Sequence, residues 1–262
     1  MIFRINHRLF EFKDIVPWQN NTLHWFGLTD GELWIDAGND TIYEYSDAAL
    51  KVYQTASPYN DYYISRFAED LAEILPFINE SVPYEIYNNA EKLGSMLSEW
   101  LELHIDNDDD NFIDNEYDIL SSFYVNRTLF SSHLVGGPVI SFFRHRNTLK
   151  LFWNAEHRLE NSEYMWRCPK GSCELPYREF TEAVNAFYSE FLKNMDKQTE
   201  NALNNSRDGV FIDRKQLIKE NQNRRNGFFH TISGLQDKTA PECEDNILHL
   251  YHKMIQEIQK VK

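Results

Sequence analysis

The stretch at residues 139–153, VISFFRHRNTLKLFW, predicts the fold more strongly than any other part of the chain. Residues 139–144 and 149–153 are rich in aromatic and apolar side chains, which favour the half-buried surface of a sheet. The polar residues 145–148 lie between the two runs and indicate a short turn. We therefore predict an antiparallel hairpin near the middle of the chain.

A second group of strands is predicted closer to the N-terminus. Residues 23–28, 32–36 and 41–45 are rich in Trp, Tyr, Phe and Ile. Asp30-Gly31 is a strong signal for a two-residue hairpin turn, and residues 37–40 indicate a second turn. These features predict a three-stranded meander, and residues 163–166 are predicted to add a further strand.

Amphipathic helices are predicted between and after the strands. Apolar residues spaced three and four apart mark two helices at 64–74 and 86–100, and Pro76 is expected to end the first. Pro176 is predicted to open a long helix and Asp213 to cap a short one. A last helix carries its apolar face at residues 247–258.

The order of these elements predicts an α+β class. Strands come in adjacent pairs rather than singly between helices, so we expect one antiparallel β-sheet built from hairpins with amphipathic helices packed on one face. The polar stretch 204–209 reads as a linker. We therefore predict a core domain at residues 1–205 and a C-terminal helical appendage at residues 206–262.

Composition limits the class of protein. Among 262 residues, 42% are hydrophobic, which is enough for a core, yet no apolar run is long enough to span a bilayer. The N-terminus lacks the apolar region of a signal peptide. Three cysteines give no disulfide framework. We therefore expect a cytoplasmic protein.

The net charge of −15 is concentrated in one region. Residues 60–120 contain 16 acidic and two basic residues, a net charge of −14. Such a surface repels nucleic acid and anionic membranes and favours a basic protein partner or a cation. A solvated face that only maintains solubility is the alternative. The residues we nominate for partner binding are Glu69, Asp70, Glu73, Glu91, Glu99 and Glu102.

The Asp-rich segment at residues 106–118 is a candidate calcium site. A calcium loop of the EF-hand type places oxygen ligands at positions 1, 3, 5 and 9. Those positions are filled here by Asp106, Asp108, Asp110 and Asp114. Position 12 is Tyr117 instead of the usual Glu, with Glu116 one residue early, so a solvated acidic loop is the competing interpretation.

No catalytic motif with an established spacing is present in the sequence. Scattered residues can still converge in space, so an enzyme with a small-molecule site between the two hairpins remains an alternative. Its candidate residues are Trp25, Asp30, His133 and Arg144. Arg144 lies in an apolar strand and would need a carboxylate partner there, for which Asp30 and Asp36 are candidates.

Two motifs together resemble a known family. One is Trp25-Phe26-Gly27-Leu28-Thr29-Asp30-Gly31, with Trp34-Ile35 after it, and the other is His133-Leu134-Val135-Gly136-Gly137-Pro138. Over roughly residues 1–200 the chain resembles the bacterial domain of unknown function 5984. The resemblance implies a bacterial source and no particular chemistry. The Asp-rich insert departs from the family pattern.

Three functions follow as hypotheses. The leading one is a non-catalytic cytosolic binding protein that engages a basic protein partner through acidic helices, in its concrete form a toxin-neutralising immunity protein or antitoxin. The second is a hydrolase or other enzyme with its site between the hairpins. The third is a calcium-binding module.

Overall fold

The computed structural model describes residues 3–104, 112–235 and 245–262. Its strands are β1 (Phe3–Leu9), β2 (Asp30–Ala37), β3 (Asp40–Ile42), β4 (Asn60–Tyr63), β5 (Thr128–Phe130), β6 (Val139–His145), β7 (Thr148–Asn154) and β8 (Lys170–Pro176). They form two antiparallel sheets of four strands each. The first has the order β1-β2-β3, with β4 also paired to β2, and the second has the order β5-β6-β7-β8.

Seven α-helices are present in the described residues. They are α1 (Asp47–Tyr53), α2 (Ile64–Ile78), α3 (Tyr84–His104), α4 (Asp118–Val125), α5 (Tyr177–Asn204), α6 (Arg214–Ser233) and α7 (Asp245–Val261). The predicted caps are confirmed, since α5 begins directly after Pro176 and the Asp213 side chain accepts hydrogen bonds at the start of α6. Pro76 lies in the last turn of α2 and does not end it, because the helix continues for two residues.

The first sheet differs from the predicted meander. Residues 23–28 form no strand, and Asp30-Gly31 lies inside β2 instead of forming a turn. β2 pairs along its length with β1, with Leu9 opposite Gly31. A Cβ on Gly31 would lie 2.4 Å from the carbonyl oxygen of Arg8. The glycine is therefore needed for close approach of two strands, and the Asp-Gly turn prediction is wrong.

The central hairpin is confirmed in the second sheet. β6 and β7 pair from Val139↔Asn154 to His145↔Thr148. The strand predicted at 163–166 is wrong, since only isolated bridges occur there. β8 pairs with β7 instead. β8 has the sequence KGSCELP, whose weak strand propensity is outweighed by tertiary pairing.

Helices cover both faces of the second sheet. Leu151 and Trp153 of β7 belong to a core shared with the first sheet, α2, α5 and α6. Phe143 and Phe152 point the other way, into a second core with α3, α4 and α7. The α+β class is confirmed. The strands nonetheless divide into two sheets, because the partner of β2 is the N-terminal strand and not the central hairpin.

The C-terminal helices pack on these cores. Leu217 and Phe228 of α6 are buried in the first core, and the predicted apolar face of α7 is buried in the second. Trp100 of α3 donates from Nε1 to Glu257 Oε2 of α7 at 2.6 Å. The division into a core domain and an appendage stays a prediction. Within the described ranges no helix has the length and apolarity needed to cross a membrane.

Candidate functional site

The six carboxylates nominated for partner binding lie on two helices. Glu69, Asp70 and Glu73 are on α2, and Glu91, Glu99 and Glu102 are on α3. α2 contributes to the first core and α3 to the second. The two helices are therefore separate candidate surfaces.

On α2, most of the nominated charge is used within the protein. Glu69 pairs with Arg224 of α6. Asp70 accepts a hydrogen bond from Arg66 Nε at 3.1 Å. Glu73 is exposed, and no residue in the described part of the chain forms an ion pair with it. Of the three carboxylates, Glu73 is the one that α2 presents to solvent unpaired.

On α3, two of the three nominated carboxylates remain free. Glu91 and Glu102 are exposed and have no ion-pair partner among the described residues, whereas Glu99 pairs with Lys262 at 3.0 Å. Their spacing of eleven residues is about three turns, which places them on one line along the helix. Three small exposed polar residues occupy the same line: Asn88, Ser95 and Ser98. This line of α3 is a polar strip with accessible negative charge at two points.

Trp25 belongs to the packing of α6 on the first core. Its side chain is fully buried, and Nε1 donates to Asn221 Oδ1 at 2.8 Å. The guanidinium of Arg224 lies 5.1 Å from the ring centroid. These contacts explain the burial of Trp25 without a ligand.

Arg144 anchors the end of α2 to the second sheet. It is 1% exposed, and Nη1 donates to the backbone O and the side-chain Oδ1 of Asn79, both at 2.9 Å. Nε donates to the carbonyl oxygen of Arg146 at 2.7 Å, and the guanidinium stacks 3.5 Å above the Tyr177 ring. The predicted partner Asp36 accepts instead from Asn6 of β1. Arg144 therefore has a structural role.

Asp30 begins β2 and lies opposite Tyr63 of β4. Burial, followed by the charge of Asp61, raises the pKa of Asp30. The predicted contact between Asp30 and Arg144 does not form, and the Arg144 guanidinium donates instead to Asn79 and to the Arg146 carbonyl.

His133 lies at the junction of the two sheets. It follows β5, and its ring centroid is 4.7 Å from both Tyr62 of β4 and Phe67 of α2. Close by in sequence, Ser131 shares a hydrogen bond of 2.6 Å with Tyr43 OH, which links the second sheet to the first. Of the four candidates for an enzyme site, His133 therefore has the environment that differs most from ordinary packing.

The His133 side chain is 11% exposed, and its imidazole is neutral at pH 7. Both ring nitrogens are inaccessible and receive no hydrogen bond from the described residues, and Nδ1 is 3.8 Å from Asp70 Oδ2. Burial, and secondarily the charge of Arg66, lowers the pKa of His133 to about 4. Burial also raises the pKa of Asp70. A ring that stays neutral at pH 7 packs here as an aromatic side chain with two unused polar atoms.

The calcium hypothesis falls largely outside the described residues, since Asp106, Asp108 and Asp110 are not among them. Asp114 lies in a helical turn, Ile113–Tyr117. Glu116, the substitute ligand for position 12, accepts instead from Lys253 of α7 at 2.6 Å. The calcium site stays a prediction, and Glu116 would have to leave Lys253 to join it.

A groove between β1 and α5 was not foreseen from the sequence. It has a volume of about 760 Å³ and is bounded by residues 7–13 on one side and by α5 and residues 205–207 on the other. Positive side chains and amides line much of it. The alternation of charged and apolar residues in FRINHRL is the signal that could have identified β1 as a strand.

A family described as "Family of unknown function (DUF5984)" matches residues 4–244 of the chain. No curated protein and no solved structure matches the chain.

Proposed function

The chain belongs to the DUF5984 family, and on that premise we propose that it is a non-catalytic binding protein for a basic protein partner. The partner contacts the exposed carboxylates of α3, with Glu73 of α2 as a separate point of negative charge. The specific version of this proposal is that the protein is a bacterial, cytoplasmic immunity protein or antitoxin that neutralises a basic toxin.

The polar strip of α3 carries this proposal. The helix contains four glutamates and one lysine, and Glu91 and Glu102 are exposed and unpaired among the described residues. Unpaired surface carboxylates steer a basic partner toward the strip and accelerate its capture. Glu69 and Glu99 contribute less, because intramolecular ion pairs already neutralise them.

The enzyme alternative receives less support from the geometry. Trp25 and Arg144 have their side chains occupied by packing contacts, and Asp30 lies on a different sheet from Arg144. His133 is the candidate with unused polar atoms. A hydrolase would need its nucleophile and base within hydrogen-bonding distance of each other, and Ser131 bonds instead to Tyr43.

Charge reversal on α3 is expected to weaken the complex. The double variant Glu91→Lys/Glu102→Lys should reduce affinity for the basic partner about tenfold or more at low salt, mainly through slower association. The partner is first captured from host lysate with tagged protein and identified by mass spectrometry, and the two rate constants are then measured by surface plasmon resonance.

Glu160→Lys/Glu163→Lys is the matched control, since both residues are exposed and the change in net charge is the same. This control variant should bind within about twofold of the unmodified protein, because the neighbouring residues Leu159 and Met165 pack on the first core, whereas α3 packs on the second. Equal weakening by the two double variants would show that only net charge matters. Capture that persists unchanged at high salt would contradict the electrostatic proposal.

A further inference from the structure

β1 is an edge strand among the described residues, paired with β2 on one side. Phe10 N donates to Asp30 O at 2.9 Å, one position beyond the Leu9↔Gly31 pair. Hydrogen-bonded pairs alternate along an antiparallel ladder, so Arg8 also directs its backbone groups toward β2. The backbone groups of His7 and Leu9 consequently point to the open edge, where the groove lies.

α5 forms the opposite wall of this groove. Gln198 Nε2 donates to Phe10 O at 2.8 Å, and Asn194 Nδ2 lies 3.2 Å from His7 Nε2. These two contacts set the spacing between helix and strand at the inner end of the groove. The volume of about 760 Å³ lies in the range of ligand-binding clefts. A strand edge that faces a helix across a cleft is the arrangement used for peptide binding by strand addition.

The charge of the groove opposes that of the whole protein. Four cationic residues and one carboxylate line it, namely Arg8, Lys13, Lys197, Arg207 and Glu11, in a chain whose net charge is −15. Arg8 pairs with Glu32 and Lys13 with Glu11. Arg207 donates to the carbonyl oxygens of Phe12 and Ile15. Neither Lys197 nor Arg207 has a carboxylate partner in the part of the chain that the structure describes.

We propose that this groove binds an extended acidic peptide segment of a partner protein, which adds as a strand to the open edge of β1. Backbone hydrogen bonds to His7 and Leu9 would supply affinity without sequence preference. Carboxylates of the segment would pair with Lys197 and Arg207 and supply selectivity for acidic sequences. The site differs from the α3 strip in position and in the sign of its charge.

The test uses a synthetic fluorescein-labelled peptide of alternating valine and glutamate, measured by fluorescence anisotropy with the full chain. Lys197→Glu is expected to weaken its binding about tenfold or more, because a local cation becomes a carboxylate. Lys193→Glu is the matched control. It lies one turn earlier on the same helix, is exposed and does not line the groove. Because it lies about 6 Å along the helix from Lys197, inside a Debye length, some loss of affinity is expected, but a smaller one of about threefold or less.

Two further peptides separate strand addition from simple charge attraction. A valine–lysine peptide should bind at least about tenfold more weakly, since its charge is reversed. A proline–glutamate peptide has the same charge but fewer backbone N–H donors, and it too should bind about tenfold more weakly. Equal binding of the proline peptide would overturn strand addition. Undetectable binding of the valine–glutamate peptide, or equal effects of the two lysine variants, would overturn the site itself.

Discussion

Replacing Arg144 with alanine is expected to lower the free energy of unfolding by about 3 to 5 kcal/mol. The side chain is 1% exposed and donates to the backbone and amide oxygens of Asn79 and to the Arg146 carbonyl. Its loss removes three hydrogen bonds donated by a buried charged group, and such bonds contribute about 1.5 to 3 kcal/mol each before relaxation. Asn79 Oδ1 keeps the hydrogen bond from Tyr177 OH at 3.0 Å, so the total stays below the simple sum. The substitution also leaves a cavity under Tyr177, which the guanidinium covers at 3.5 Å.

The Arg144→Ala substitution is expected to affect more than one side chain, because the segment between α2 and α3 is hydrogen-bonded to the same part of β6. Val82 N donates to Arg144 O at 2.8 Å, and His145 Nδ1 lies 2.8 Å from Val82 O. Loosening Arg144 therefore releases the segment that links the first core to α3. Because α3 carries the proposed partner surface, a folded fraction of this variant should also bind its partner less tightly.

Urea denaturation followed by circular dichroism measures the change. Arg158→Ala is the matched control, since Arg158 also donates to a backbone carbonyl and also lies over a tyrosine ring, 4.0 Å from the Tyr164 centroid, but is exposed. The control should cost less than about 1 kcal/mol. A loss of under about 1 kcal/mol for Arg144→Ala would show that the hydrogen bonds and ring contact of the guanidinium contribute little net stability.

The stability of the unmodified protein is expected to fall relative to a His133→Phe variant as the pH is lowered. The unfolded imidazole takes up a proton near its ordinary pKa of 6.5, whereas burial keeps the folded one neutral until about pH 4. Protons therefore favour the unfolded state in this window. The difference in unfolding free energy between the two proteins should grow by up to about 3 kcal/mol between pH 7 and pH 4.

Phenylalanine suits this position because the ring packs between Tyr62 and Phe67 and its nitrogens accept no hydrogen bonds from the described residues. At pH 7 the variant should be as stable as the unmodified protein or slightly more stable. Asp70 and Arg66 are present in both proteins, so the comparison removes the opposite titration of Asp70, whose pKa burial raises. Urea unfolding at several pH values measures the difference.

His230→Phe controls for the loss of an exposed imidazole. Its unfolding free energy should follow the unmodified protein across the same pH range. Parallel curves for His133→Phe and the unmodified protein would mean that His133 is protonated equally easily in both states. A steeper loss in the variant would require that protonated His133 gains a partner, with Asp70 at 3.8 Å as the residue in position.

Helices were predictable because their signals are local. The apolar stripe Ile86, Ala90, Leu93, Leu97 and Trp100 is buried as expected, and so is the stripe of α7. A helix makes its hydrogen bonds within itself, so spacing and caps are sufficient to identify it. The β6–β7 hairpin was equally predictable from the sequence, since its two strands are neighbours along the chain.

The candidate site was less predictable because it depends on which distant residues meet. The sequence nominated His133 as one of four candidate residues but could not place Asp70 beside it. It nominated Glu69 and Glu99 for a partner without showing that Arg224 and Lys262 neutralise them. The basic groove requires residues 7–13 and α5 to come together across most of the chain. No local sequence pattern indicates which residues that are distant along the chain will be in contact.

By itself, the sequence determined the α+β class, the amphipathic helices, the central hairpin and the concentration of negative charge, because each follows from the order and spacing of neighbouring residues. The tertiary structure decided that β2 pairs with β1, that the strands divide into two sheets and that Arg144 donates to Asn79 while Asp36 accepts from Asn6. Those outcomes depend on which strands and helices pack together in the fold, and these elements are far apart in the sequence. Gly31 shows the difference. Its local sequence indicates a turn, whereas the pairing of β2 with β1, which leaves no room for a Cβ beside the Arg8 carbonyl, places it inside a strand.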